Sequence, residues 1–297
     1  MDMLGDLMDA PATTAPPAAT ASAADPFAAM EGMDLLGGAA PTADAGTIQP
    51  IGSIKEWYTK LCTTDTGVLY QDVNLQIGLK ASYQGPAGRV ILYFANKSQN
   101  ALDRVTVHVA PIQGLRLNMG PPVPATFPVG ANATLQIDVG CVQPYMEPPA
   151  LQFSYSSNGQ QLQQTVTLPI VLTKFLVPWQ VTDRNMFFGR WNAIAGPPLK
   201  LQEVLHVSSH LAQHGSPAIT GLFNSLKLNV IPGLDPNAAN IVTAANLATE
   251  GGAETLCIVR LEAAPNDRSQ FRVTVATANQ VSTSCLKDLV VSHLKGN

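Results

Sequence analysis

Charge is scarce in this sequence. Asp, Glu, Lys and Arg supply 13% of its 297 residues, about half the usual share of a soluble domain. The net charge is −4, and no basic block occurs anywhere along the chain. Nucleic acid or an anionic bilayer as the main partner is argued against, because both require clustered Lys and Arg. The four cysteines (Cys62, Cys141, Cys257, Cys285) are far apart and lack CxxC or metal-type spacing. They are expected to be reduced thiols that pack as small hydrophobes, with no disulfide framework. No apolar run approaches the ~20 residues that span a bilayer, and residues 1–15 lack the basic and apolar regions of a secretory signal. P-loop, GxGxxG, GxSxG, HExxH and EF-hand patterns are also missing, so no catalytic residue and no cofactor is expected.

What the chain does have is 46% hydrophobic residues, enough for one large core or two modest ones. Residues 1–47 are low-complexity, rich in Ala, Pro, Thr and Gly, and are expected to be disordered. Two islands interrupt them, Asp25-Pro26-Phe27 and Asp34-Leu35-Leu36. From about residue 50 the texture changes. Ile54, Trp57, Tyr58 and Leu61 fall at helical spacing, and period-2 runs follow: Val90/Leu92/Phe94, Val105/Val107/Val109, Leu135/Ile137/Val139 and Leu151/Phe153/Tyr155. Turn residues separate them, at Gly85-Pro86, Gly120-Pro121, Gly130 and Asn158-Gly159. A final apolar run, 166–172, leads to Lys174 and Phe175. Evenly spaced strands with little helix between them predict a β-sandwich.

Pro178 marks a boundary to a mixed α+β pattern. A helix is expected over 182–194 with Thr182 as N-cap, and a second over 199–213 with Leu201, Val204, Leu205 and Leu211 on one stripe. Strands are expected at 226–231, 256–262 and 271–276. A closing amphipathic helix carries Leu286, Leu289, Val290 and Leu294. The expected organisation is a disordered hinge over 1–49, an all-β sandwich over 50–177 and an α+β domain over 178–297.

Two constellations merit weighing. On the expected second helix, His206, His210 and His214 at i, i+4, i+8 would share one face, as helical metal ligands do. No carboxylate occupies the position a zinc peptidase needs for its base, so surface histidines are favoured and no metal is assigned. The other group is aromatic and basic. Phe187, Phe188 and Trp191 lie within one helical turn, a pattern that in an arbitrary sequence more often marks a core-facing aromatic patch. Alternation puts Arg260 and Glu262 opposite Cys257/Val259/Leu261, and Arg272 opposite Phe271/Val273/Val275. If the two strands pair, both arginines can share a face. Aromatic rings beside guanidinium groups form a receptor for an Asp-x-Phe type ligand.

Several segments, in order, resemble the C-terminal appendage of alpha-adaptins, especially the plant and algal ones. They are residues 67–72 (GVLYQD) with 76–80 (QIGLK), 168–175 (LPIVLTKF, matching the last sandwich strand), 187–191 (FFGRW), 196–204 (GPPLKLQEV) and 232–237 (PGLDPN). The resemblance covers about residues 50–297. It implies an immunoglobulin-like β-sandwich followed by a platform, in a non-enzymatic clathrin adaptor. Such an appendage binds DPF/DPW-, FxDxF- and WxxF-type motifs of endocytic accessory proteins. By motif matching, the platform site would comprise Phe187, Phe188, Trp191, Arg260, Glu262 and Arg272. A further arginine of animal relatives is Ala276 here, which implies a weaker or rearranged carboxylate site. Tyr83 falls where animal relatives carry Phe in a second site on the sandwich, within a loop that departs from theirs.

The implied location is cytoplasmic, at plasma-membrane coated pits. Clathrin and other adaptor subunits would be met indirectly, and the membrane only through the wider complex. The family's helical trunk is not in this sequence, so residues 1–47 would correspond to hinge. Asp25-Pro26-Phe27 is of the type the platform would bind, although so short a match arises easily by chance. A tether of about 25 residues gives it a reach of roughly 25–30 Å, so it could compete with outside ligands. An appendage of another coat, of beta-adaptin or COPI type, is the alternative in the same class. A metal-dependent enzyme using His206/His210/His214 is the alternative in another.

Overall fold

The computed structural model describes residues 48–181 and 183–296. Ser53 starts the first helix, α1 (Ile54–Thr63), its hydroxyl accepting the Glu56 N–H at 3.2 Å. Eight strands follow: β1 (Thr66–Gln71), β2 (Leu75–Gln84), β3 (Ala87–Asn96), β4 (Asp103–Val109), β5 (Leu115–Met119), β6 (Asn132–Cys141), β7 (Ala150–Ser157) and β8 (Gln160–Thr167). They form two antiparallel sheets, ordered β1-β2-β3-β6-β5 and β4-β7-β8. Alternation works as its period demands. Val90, Leu92, Phe94, Leu135, Ile137 and Val139 of one sheet and Leu151, Phe153 and Tyr155 of the other are buried in one core. Tyr70 meets Phe153 edge-on across it, ring centroids 4.9 Å apart. The Asp72 carboxylate is buried, and it accepts the hydroxyls of Tyr70 at 2.9 Å and Tyr155 at 2.8 Å and the N–H groups of Asn74 and Leu75. A buried carboxylate is tolerable only when its lone pairs are satisfied in this way.

The last sandwich strand ends at Thr167, earlier than the 168–175 segment suggested. That segment turns into a buried 3-10 turn at Leu172–Phe175, then enters β9 (Leu176–Pro178). The remaining elements are α2 (Arg184–Ala193), β10 (Lys200–His206), α3 (Ser209–Ser225), β11 (Ile241–Ala248), β12 (Glu254–Ala264), β13 (Asp267–Thr277) and α4 (Gln280–Lys295). The five strands form one antiparallel sheet in the order β10-β13-β12-β11-β9. Its Cys257/Val259/Leu261 and Phe271/Val273/Val275 face packs with Leu211, Ile219 and Phe223 of α3 and Leu286, Val290 and Leu294 of α4. The opposite face carries α2. A β-sandwich followed by an α+β platform is thus the architecture. The sandwich core continues without a break into the α3/α4 face of the platform sheet. Lys174, nearly fully buried, ties the join through Asp65 Oδ1 and Thr64 O, both at 2.9 Å.

Three expectations are corrected. Residues 200–206 form a strand, not the start of a helix. Leu201, Val204 and Leu205 fit a helical stripe equally well, but pairing with β13 decides the matter: Leu205 is buried while Val204 is 61% exposed. Residues 226–231 are irregular, and only Val230 bridges, to Thr243. The N-cap of α2 is Asp183, whose Oδ1 accepts the Met186 N–H at 2.7 Å; Thr182 lies outside the described residues. Among the described residues, no helix is long and apolar enough to cross a membrane.

Candidate functional site

The histidine constellation comes apart in the structure. His206 lies on β10, with Nδ1 3.1 Å from Ser269 Oγ, whereas His210 and His214 meet on α3 with tilted rings, centroids 4.4 Å apart. Among the described residues, no group of three or more His, Cys, Asp or Glu could hold a metal ion.

The aromatic and basic residues do come together. On α2, Phe187 is buried against Val242, Ala244 and Ile258 and anchors the helix to the sheet. Phe188 meets it edge-on at 5.3 Å. Trp191, one turn on, lies parallel to it at 6.4 Å. Phe188 and Trp191 are only half-buried. The group is therefore neither wholly core nor wholly surface: one ring roots the helix and two are left partly open.

The register of β12 with β13 sets Glu262 opposite Arg272 and Arg260 opposite Thr274. Arg260 also stands opposite Val242 on β11, which places all three charged groups on the α2 face. Arg272 grips Glu262 with two parallel hydrogen bonds, Nε to Oε2 at 2.6 Å and Nη2 to Oε1 at 2.8 Å. Arg260 reaches the same carboxylate from the other side, Nη1 to Oε1 at 3.0 Å. Its Nε and Nη2 both lie 2.8 Å from Asp235 Oδ2.

Asp235 is buried in the 232–237 loop. Burial works to raise its pKa, but the Asn237 N–H, Arg260 and Asn240 outweigh it and hold the carboxyl below its usual range. Glu262 is held low chiefly by Arg272, against burial and with help from Arg260. Arg272 is in turn raised by Glu262.

Sequence reasoning missed two members of the site. Asp235 gave no signal, since only the folded loop brings it to Arg260. Lys200 was hidden by the helical expectation for its segment. Its ammonium lies 4.4 Å from the centroid of the Trp191 ring and donates to Trp191 O at 3.0 Å. Burial lowers its pKa. The site as a whole sets Lys200, Arg260 and Arg272 against Asp235 and Glu262, leaving one positive charge over.

Tyr83 belongs to a different place. It projects from β2 onto Phe175, edge-on at 5.5 Å, with Lys227 Nζ 5.2 Å and Lys174 Nζ 5.9 Å from its ring. Burial pushes its phenol well above the usual range. Gly88 leaves room for it: a Cβ there would lie 2.4 Å from the ring. Tyr83 also lines an open groove of about 620 Å³ with Arg89, Arg116 and Asp138. Asp25, Pro26 and Phe27 lie outside the described residues.

Comparison with known proteins identifies the family of the chain. The adaptin C-terminal domain family matches residues 65–169, and the alpha adaptin AP2 C-terminal domain family matches residues 174–294. The AP-2 complex subunit alpha-1 of Arabidopsis thaliana is 37% identical over 99% of this chain and 29% of its own length. The AP-2 complex subunit alpha-2 of Dictyostelium discoideum is 30% identical over 80% of this chain and 24% of its own. The chain thus spans under a third of the length of these curated relatives. Among solved structures, the GAE domain of GGA2p from Saccharomyces cerevisiae is similar at 15% identity with a TM-score of 0.32, over 36% of this chain and 97% of that one. Two consecutive family matches that together take in both the sandwich and the platform leave one assignment: the chain belongs to the alpha-adaptin family and carries its C-terminal appendage.

Proposed function

We propose that this chain is a non-enzymatic appendage that binds short peptide motifs of the DPF/DPW, FxDxF and WxxF types on the α2 face of its platform. By relationship to the AP-2 alpha subunits, it would recruit accessory proteins in clathrin-mediated endocytosis. It would work in the cytoplasm at coated pits and meet clathrin and other adaptor subunits through the wider complex.

One observation carries the reading. A half-open aromatic ledge, Phe188 and Trp191, packs on buried Phe187 beside a sheet face that carries Arg260, Glu262 and Arg272. Fixed rings offer apolar contact at little entropic cost, and the surplus positive charge favours an acidic neighbour to the ligand's ring. A second, separate peptide site on the sandwich would lie in the groove beside Tyr83, where Arg89 is paired with Asp138 and Arg116 with Glu250, so that shape and the tyrosine, not surplus charge, would hold a ligand.

The test is fluorescence-polarisation titration of a labelled Asp-Pro-Phe peptide onto the chain and onto Trp191→Ala. Saturable binding that is lost in folded Trp191→Ala is expected. Undiminished binding to that variant would move the function away from α2.

A further inference from the structure

Both guanidinium groups of the site are already engaged. Arg272 spends Nε and Nη2 on Glu262, and Arg260 divides Nε, Nη2 and Nη1 between Asp235 and Glu262. These carboxylates hold the arginines in place, and they also neutralise them. A ligand carboxylate approaching either arginine meets Glu262 or Asp235 at the same time, which offsets much of the attraction.

Lys200 is placed differently. An ammonium has three donors. Here one goes to Trp191 O, and among the described residues no carboxylate pairs with it. The acidic residue nearest to it in sequence, Glu203, is engaged by Lys287 and Lys295, each at 2.8 Å, on the α4 side of the sheet. Lys200 stands opposite Ala276 in the β10–β13 ladder, and Ala276 opposite Ile258 in the β13–β12 ladder. This row of the sheet therefore carries a charge only on β10. The ammonium also lies over the indole, the ring a ligand aromatic has to approach.

Resting on the platform reading above, we propose that Lys200 is the residue that receives the ligand carboxylate and so sets the preference for an acidic residue beside the aromatic one. Ala276 gives this row no charge on β13, and Lys200 supplies one from the neighbouring strand. While the site is empty the ammonium rests on Trp191, where ring and backbone carbonyl partly replace its lost water. A ligand carboxylate gives it a stronger partner and draws it off the indole, opening the ring to the ligand's own aromatic group. A ligand with an aromatic residue but no acid cannot make this exchange, so acid and ring are read together. Arg260, Glu262 and Arg272 form the shelf that fixes the strands beneath.

Two labelled peptides with identical flanks, one containing Asp-Pro-Phe and the other Asn-Pro-Phe, are titrated onto the full chain. The same titrations use Lys200→Gln, Lys200→Met (which keeps the stem on the ring), Lys200→Arg and Arg272→Gln. The unsubstituted chain should favour the Asp peptide by about tenfold or more, the worth of one charge-assisted hydrogen bond. Lys200→Gln and Lys200→Met should reduce that preference to below about threefold, mainly by weakening the Asp peptide, while Lys200→Arg and Arg272→Gln preserve most of it. A preference that survives in both Lys200→Gln and Lys200→Met, or that is abolished by Arg272→Gln, overturns the assignment and leaves the platform site standing. Failure of the unsubstituted chain to bind either peptide overturns the platform reading and this assignment with it.

Discussion

Glu262 stands directly opposite Arg272 across β12 and β13 and takes two of its donors, at 2.6 and 2.8 Å, while Arg260 holds the same carboxylate from its own strand. One carboxylate thus fixes Arg260 and Arg272 relative to each other. Its protonation is coupled to folding.

The sign follows from the direction of the shift. Arg272 and Arg260 depress the Glu262 pKa in the folded chain, so its contribution to stability is complete above the unfolded value of about 4.3 and is lost as pH falls through the lower folded one. Asp235 acts in the same sense from an unfolded value of about 3.9. Urea unfolding of the chain and of Glu262→Gln between pH 7 and pH 3 checks this. The variant should be less stable at pH 7, and the difference should shrink towards pH 3. A constant difference across the range would show that the carboxylate's charge is not what it contributes.

Arg260 and Arg272 should differ as structural residues. Arg260 compensates Asp235, which is buried, so Arg260→Ala takes the charged partner from its Oδ2 and leaves only the Asn237 and Asn240 donors on Oδ1, which should cost about 2–3 kcal/mol. Arg272 is half exposed and pairs with a carboxylate that keeps Arg260, so Arg272→Ala should cost under about 1 kcal/mol. Denaturant midpoints of the two variants decide it, and equal losses would mean that the Asp235 contact adds nothing. Arg272→Ala is for this reason the substitution that leaves the shelf closest to intact.

Phe187 and Trp191 should separate stability from recognition. Phe187→Ala empties a buried position beneath α2 and should cost about 3–5 kcal/mol. Trp191→Ala removes a half-buried ring and should cost about 1–2 kcal/mol while abolishing peptide binding. Chemical denaturation alongside peptide titration makes the comparison. A Trp191→Ala variant as unstable as Phe187→Ala would identify the tryptophan as core.

How much of this was legible in the sequence depended on how many sides of each element are covered. Strands β3, β6, β7, β12 and β13 alternate because each has unlike environments on its two faces, and their runs were visible. β11 was not: α2 covers one face and α3 the other, so its residues are buried almost throughout and no period remains. β10 reads as a helix in one dimension because its apolar residues suit both periods, and only pairing with β13 settles it. That error carried two others with it, the imagined histidine face and the overlooked Lys200. Phe187, Trp191 and the Arg260/Glu262/Arg272 face were legible because helical spacing and strand alternation, unlike loop geometry, survive in one dimension. Asp235, delivered by an irregular loop, left no such trace.

A residue-resolved map of where the peptide lands decides whether the α2 face is the binding site. In a heteronuclear NMR titration of the chain with an Asp-Pro-Phe peptide, shifts are expected to concentrate at the Trp191 indole N–H and the backbone of 187–191, with further shifts around Lys200, Arg260 and Arg272. Shifts confined to the groove beside Tyr83, or none at saturating peptide, would contradict it.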